Sequence, residues 1–552
     1  MRSLVLALIL TAPLSMATAQ QAKPPKPKVE KTAPQPKPEP QPATTPETKA
    51  ETPPAEPAKP SPAATAAAEK EREEQELRFD MTEVPTVVTH HQITVGGKTL
   101  RYTATAGRLP IKRGDGKIEA EMFFVAYTLD NENPATRPLT FAFNGGPGSA
   151  SVWLHMGALG PRRVTLQQQG FMPPPPYRIQ DNPYTLLDRS DLVLVDAIGT
   201  GFSRAADPTL LKHFLGVEGD IEAYSEFIRM YISRYDRWSS PLFMLGESYG
   251  TTRAAGIAGY LADKGISFNG IALLSSVLDF ETLIFARTND LAYELILPSF
   301  TMTAAYHHKL PADLAQDLSK TRTEVEQWAS NQYAQALSKG DALTPQERQA
   351  VTDQLSRYTG LTKELIDQAN LRIDVRKFTH NLLLDQKIRV GRLDGRFTGP
   401  DPQGLLDTPF YDPTGSAILP VFTSIFNNYV RSELGYKSDM PYNVFAFGGQ
   451  SGFEKWDWGS AIKGFPDTAA ALREAMTKNP YTKILVMEGY YDLATPYYAA
   501  NYTVDHLNLP PNLRKNISFT TYDSGHMVYV GMDGLAKMKR DVASFIDSSL
   551  TH

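Results

Sequence analysis

A chain of 552 residues, 41% hydrophobic and 21% charged, has the composition of a globular protein long enough to bury a sizeable core. Its formal net charge of −5 gives no sign of a nucleic-acid or anionic-membrane partner. With no cysteine, disulfides, thiol nucleophiles and thiolate metal sites are excluded.

The N-terminus has the pattern of a secretory leader. Arg2 precedes the apolar run Leu4 to Leu10, and Ala17-Thr18-Ala19 stands before Gln20, which predicts a signal peptide over residues 1–19. The apolar run is too short to cross a bilayer, and no later stretch reads as a membrane span. The mature protein is therefore expected to be exported, periplasmic or secreted. Residues 20–75 are rich in Pro, Lys and Glu, with fourteen of the 42 prolines falling between Pro24 and Pro62. That composition predicts a disordered, polyproline-like tether. Its end, from Ala64 to Leu77, is rich in alanine and glutamate and predicts a helix.

Strand patterns begin after the tether. Val87-Val88, Gln92 to Val95 and Leu100 to Ala104 alternate around Gly96-Gly97, as an antiparallel hairpin would. Glu121 to Leu129 and Leu139 to Phe143 follow. Leu192 to Asp196 is apolar up to its last residue, as a parallel strand covered on both faces should be. Glu218 to Arg234 has helical spacing, and further buried strands are predicted at Pro241 to Leu245 and Ile271 to Leu274. Between about Phe280 and Met440 strand signals give way to polar, helical sequence with cap signals such as Thr344-Pro345-Gln346-Glu347. Strands resume at Lys483 to Met487 and Ile517 to Tyr522, and a helix closes the chain from about Gly534 to Ser548. The organisation expected is an α/β-hydrolase core over 76–280 and 441–552, interrupted by a helical cap over 281–440.

Chemistry concentrates at the predicted strand ends. Gly246-Glu247-Ser248-Tyr249-Gly250 is a G-x-S-x-G between a strand and a helix, the pattern of a nucleophile elbow. A serine there needs an imidazole to take its proton and a carboxylate to orient that imidazole, in the chain order Ser, acid, His. Asp492 follows one late strand and His526 the next, where such partners belong. Asp505 and Asp523 are rival acids. Competing histidines are His155, His213, His380, His506 and the pairs His90-His91 and His307-His308. Phe143-Asn144-Gly145-Gly146-Pro147-Gly148 follows a strand with glycines that allow close backbone approach, as an oxyanion hole requires.

Together these segments resemble the serine carboxypeptidases. The resemblance is carried by FNGGPGSAS (143–151), LGP (159–161), NPYTLLDRSDLVLVDAIGTGFS (182–203), LGESYGTTRAAGIAGYL (245–261), GYYDLATP (489–496) and DSGHMVYV (523–530). It implies an α/β-hydrolase fold, a mostly parallel central sheet flanked by helices with an inserted helical cap. It implies Ser248 as nucleophile, Asp492 and His526 as its partners, and the N–H groups of Gly146 and Tyr249 as the oxyanion hole. It also implies that Asn144 and Glu247 bind the substrate's terminal carboxylate, and that no metal or organic cofactor is needed. This chain departs from the family pattern at Ala142, Ala158 and Met527, where tryptophan, glutamate and often glutamate are usual, and at Ser149 where a cysteine commonly stands. The expected activity is release of C-terminal residues from peptides. The alternatives are an esterase or acyltransferase with the same triad, and a non-catalytic protein that binds a partner in the cell envelope.

Overall fold

The computed structural model describes residues 79–551 apart from 403, 405–410, 447–454 and 460–463. The expected leader, tether and helix over 64–77 lie outside the described residues.

The N-terminal hairpin pairs β1 (Val87–Val95) with β2 (Lys98–Lys112) in an antiparallel register from Val87 opposite Ala106 to Val95 opposite Lys98. Gly96 and Gly97 turn the chain at φ +56° and +80°, backbone that side chains with a Cβ rarely adopt. β3 (Ile118–Leu129), β4 (Leu139–Phe143), β5 (Asp191–Val195), β6 (Leu242–Glu247), β7 (Gly270–Leu274), β8 (Lys483–Gly489) and β9 (Ile517–Tyr522) complete the sheet. The spatial order is β1-β2-β3-β5-β4-β6-β7-β8-β9, with a two-residue strand, Arg204–Ala205, paired to β3. From β5 to β9 every neighbouring pair is parallel. This is the mostly parallel sheet of an α/β-hydrolase.

Alternate residues of the central strands feed two cores, which is why these runs are apolar without a break. Phe243, Leu245, Ala272, Leu274, Leu485 and Met487 face the C-terminal helix Met532–Leu550 through its Leu535, Met538 and Val542. Leu242, Met244, Ile271, Leu273, Ile484 and Val486 face the opposite way. There they meet Tyr224, Phe227 and Ile228 of helix Val217–Arg234 and Ala254, Ile257 and Ala258 of the helix that follows the elbow.

The block expected to be helical has its own core. Tyr293, Ile296, Leu297 and Phe300 of helix Leu291–Tyr306 pack with Val351 and Leu355 of helix Pro345–Thr359. The second of these starts with a complete capping box, since Glu347 N–H donates to Thr344 Oγ1 and Glu347 Oε2 accepts the Thr344 N–H. Two details differ from the expectation. A small antiparallel hairpin, Ile388–Val390 with Thr398–Pro400, interrupts the helices, because strands of three residues are too short to betray an alternating pattern. Helix Pro413–Ser432 buries Ile418, Val421, Phe422, Ile425 and Phe426 in the sheet's own core rather than with the other helices of the block.

Candidate active site

β6 runs straight into the helix Tyr249–Ala262, and Ser248 occupies the junction at φ +61°, ψ −132°. A non-glycine residue there is strained, and the surroundings hold it in place. Its N–H donates to the Leu274 carbonyl at 2.9 Å and its carbonyl accepts from Thr251 Oγ1 at 2.7 Å. The flanking glycines are required by contact rather than by φ. A Cβ on Gly246 would lie 2.2 Å from the Gly250 carbonyl oxygen, and one on Gly250 would lie 2.8 Å from that of Phe143.

The loop after β4 lies against this elbow. A Cβ on Gly145 would come within 2.4 Å of both the Tyr249 and the Gly250 nitrogens, so only glycine permits the approach. Gly146 has φ +105°. As the first residue of its helix, Tyr249 has an N–H with no intrahelical acceptor, at the positive end of the helix dipole. Beneath both segments, Arg253 is completely buried and bidentate on Asp220 (2.7 and 3.1 Å), with Nη1 donating to the Asn144 carbonyl at 2.6 Å. Its guanidinium stacks 4.3 Å from the centre of the Tyr224 ring. Burial works against its charge, but Asp220 outweighs burial and keeps it protonated.

Two further loops bring Asp492 and His526 together. Asp492 Oδ2 lies 2.7 Å from His526 Nδ1. Oδ2 also accepts from Thr495 Oγ1 (2.7 Å), while Oδ1 accepts from the Ala494 N–H (2.8 Å) and the Thr495 N–H (3.0 Å). A carboxylate on Nδ1 keeps that nitrogen's proton in place and leaves Nε2 as the acceptor. Burial opposes protonation of His526, yet the Asp492 charge and hydrogen bond, with the Glu247 charge, raise it above the usual histidine value. Ser248 and His526 are tied to consecutive residues of one strand end: Leu274 accepts the Ser248 N–H, and Ser275 Oγ donates to the His526 carbonyl at 2.7 Å.

Asn144 and Glu247 lie deep in the site, each 3% exposed. Tyr529 donates to Glu247 Oε2 at 2.7 Å, and the Asn144 side chain also bonds this carboxyl. Burial pushes Glu247 up to about 7, against the pull of His526, Tyr529 and Asn144. Of the rivals, Asp505 is paired with Arg514, and the Asp523 carbonyl accepts from Arg396. His155 is buried against Tyr127, whose hydroxyl is 2.7 Å from its Nε2. Trp456 and Trp458 stand edge-on to the Tyr249 ring at 5.3 and 6.0 Å.

Sequence reasoning missed the supports. Gly391–Phe397, in the helical block, clasps the loop that carries His526. The His526 N–H donates to the Leu393 carbonyl at 2.7 Å, and Asp394 Oδ2 accepts the Gly525 N–H at 3.0 Å. Arg396 joins Asp394 to the Asp523 carbonyl and Ser524 Oγ. Thr495, Ser275 and the Arg253–Asp220 pair were equally invisible, since nothing local distinguishes them from ordinary turn and helix residues. Among the described residues, no group of acidic or histidine side chains is arranged to hold a metal ion, and no helix is long and apolar enough to cross a membrane.

The family model for serine carboxypeptidases matches residues 99–390. Serine carboxypeptidase-like 45 of Arabidopsis thaliana is 21% identical over 461 residues, covering 74% of this chain and 96% of that protein. Serine carboxypeptidase S10 family member 1 of Dictyostelium discoideum is 26% identical over 168 residues, 29% of this chain and 37% of that protein. In fold, the chain is similar to Kex1, a prohormone-processing carboxypeptidase from Saccharomyces cerevisiae, with a TM-score of 0.51 and 17% identity over 81% of this chain and 92% of the other. The chain belongs to the serine carboxypeptidase family of peptide hydrolases.

Proposed function

We propose that this protein is an exported serine carboxypeptidase that releases residues one at a time from the C-terminus of peptides, with Ser248, His526 and Asp492 as its triad. The observation that carries the reading is the 2.7 Å bond from Asp492 to His526, on a base whose backbone is anchored beside that of the strained Ser248. In this mechanism Nε2 of His526 takes the Ser248 hydroxyl proton as Oγ attacks the scissile carbonyl. The N–H groups of Gly146 and Tyr249 receive the oxyanion, and the imidazolium, stabilised by Asp492, returns the proton to the departing amine. Water then repeats the sequence on the acyl-enzyme. Asn144 and Glu247 lie on the side of the terminal carboxylate.

The organisation that goes with this reading is a signal peptide over 1–19, a tether over 20–75, core segments over 76–280 and 441–552, and a cap over 281–440. Incubating the purified mature enzyme with peptides of known sequence and weighing the products tests the proposal. A ladder shortened stepwise from the free C-terminus supports it, and internal cleavage or no cleavage rejects it.

One observation favours a second reading, an esterase or acyltransferase with the same triad. Glu247 already satisfies Tyr529 and Asn144, and Ala142 and Ala158 carry no polar group toward a carboxylate. Turnover of a C-terminally blocked peptide ester without turnover of the free acid would select that reading.

A further inference from the structure

Residues 274–277, where the chain leaves β7, carry the backbone anchors of both Ser248 and His526. The Leu274 carbonyl accepts the Ser248 N–H at 2.9 Å. Ser275 Oγ donates to the His526 carbonyl at 2.7 Å. The Val277 N–H donates to Thr251 Oγ1 at 2.9 Å, and that hydroxyl donates to the Ser248 carbonyl at 2.7 Å. Ser248 is thus held at both of its backbone groups. The remaining residue, Ser276, donates its N–H to the side chain of Glu488, with Oε1 at 3.0 Å.

This segment does not hold its shape by local preference. Ser275 has φ +52°, a left-handed conformation that a residue with a Cβ keeps only where its surroundings impose it. Its N–H still donates to the Met487 carbonyl of β8 at 2.8 Å. One residue on, strand pairing has ended, and the side chain of Glu488, the next residue of β8, takes its place. Glu488 is 1% exposed, and its Oε2 is buried with no hydrogen-bond partner among the described residues. An ionised carboxyl there would be a desolvated charge four residues from Asp492. Burial, helped by the Asp492 charge, pushes Glu488 well above the ordinary carboxyl range, against the pull of the Ser276 N–H. Glu488 is therefore a neutral acid, able to hold the turn through Oε1 without disturbing the Asp492–His526 pair.

We propose that Glu488 is a positioning residue of the triad: by holding Ser276, its carboxyl fixes the 274–277 segment and with it the placement of Ser248 against His526. The inference rests on the reading of Ser248 as nucleophile and His526 as its base. Glu488 acts through that segment and not on the substrate.

The test compares three variants on one peptide substrate. Glu488→Gln is neutral and can still accept the Ser276 N–H, Glu488→Leu has no acceptor, and Glu488→Asp is one methylene short. Each is titrated with a peptidyl phosphonate and kcat is expressed per Ser248 adduct, so that a misfolded fraction does not count. Glu488→Leu and Glu488→Asp should lower kcat at least about fivefold with KM within about twofold of wild type, because misplaced reacting groups slow chemistry rather than binding. The rate of adduct formation should fall in parallel. Glu488→Gln should stay closer to wild type than to Glu488→Leu in both measurements. Should Glu488→Leu yield no folded enzyme, Glu488→Asp against Glu488→Gln decides. A smaller loss of kcat, a KM that rises as kcat falls, or a Glu488→Gln as slow as the other variants overturns the inference and leaves the nucleophile and base standing. A wild type that forms no adduct at Ser248 rejects both.

Discussion

Asp492 Oδ2 and His526 Nδ1 are 2.7 Å apart, across 34 residues of sequence and two adjacent parallel strands. The pair is buried, so the carboxylate acts on the imidazole with little screening. The His526 pKa is thereby raised from the ordinary 6.5, burial notwithstanding. A general base works in its neutral form, so kcat/KM should rise with pH through an apparent value above 6.5. In Asp492→Asn burial acts with less opposition, and the acid limb should move to lower pH while kcat falls by roughly 10⁴. An unmoved limb in the pH–rate profile would show that another group sets it.

Buried carboxyls make stability depend on pH in an unusual direction. Burial raises Glu247 from 4.5 and Asp196 from 3.8, each to about 7. Between the ordinary and the raised values the folded state holds protons that the unfolded chain releases. Their contribution to stability is therefore full below about pH 4 and lost as pH climbs toward 7. His526, also raised, adds to the same trend, its share being lost as pH passes its folded value. Thermal melting should show a higher midpoint at pH 5 than at pH 7. Glu247→Gln should flatten that slope by about 1–3 kcal/mol over the interval. A midpoint that rises from pH 5 to pH 7 would contradict the assignment.

Gly145 faces the nitrogens of Tyr249 and Gly250 at a distance that excludes any side chain. Gly145→Ala should push the 143–148 loop off the elbow and displace Gly146, the proposed oxyanion donor, with it. Loss of an oxyanion donor corresponds to about 10²-fold in kcat, with a smaller change in KM. Steady-state kinetics on one peptide decides it, with an unchanged kcat counting against Gly146.

The Asp394–Arg396 clasp should act on chemistry through the base it positions. Arg396→Ala frees the Asp523 carbonyl and Ser524 Oγ, and leaves Asp394 without its ion pair. Looser placement of His526 should lower kcat about tenfold or more and leave KM close to wild type. Arg396→Lys, which keeps the charge but not the forked geometry, should recover part of the loss. An equal effect on kcat and KM would instead mean that the loop binds substrate.

What was legible in the sequence was local. Leu139 to Phe143 and Ile517 to Tyr522 form strands with the expected bounds, because runs this rich in apolar, aromatic and β-branched residues need no tertiary help to be seen. Gly96-Gly97 announces a tight turn, and the glycines around Ser248 announce a crowded one. The position of His526 after the last strand separated it from nine other histidines. What the sequence hid depends on distant pairing. Asp220 looks like an acidic residue in a helix's first turn and Arg253 like a solvated one, yet they meet in the core. Arg396 and Asp523 are 127 residues apart, and their contact follows from how the helical block folds back on the sheet. Helix Pro413–Ser432 carries the same periodicity whether it covers a cap or a sheet, so its pattern alone could not assign it.

The most direct test of the account is covalent labelling of the nucleophile. A peptidyl phosphonate added to the wild-type enzyme should form one adduct per chain, mapped by mass spectrometry to Ser248, as release of C-terminal residues stops in proportion. Ser248→Ala should form no adduct, and His526→Ala should label far more slowly. An adduct on another residue, or peptide hydrolysis that continues after complete labelling, would contradict the claim that Ser248 carries the reaction.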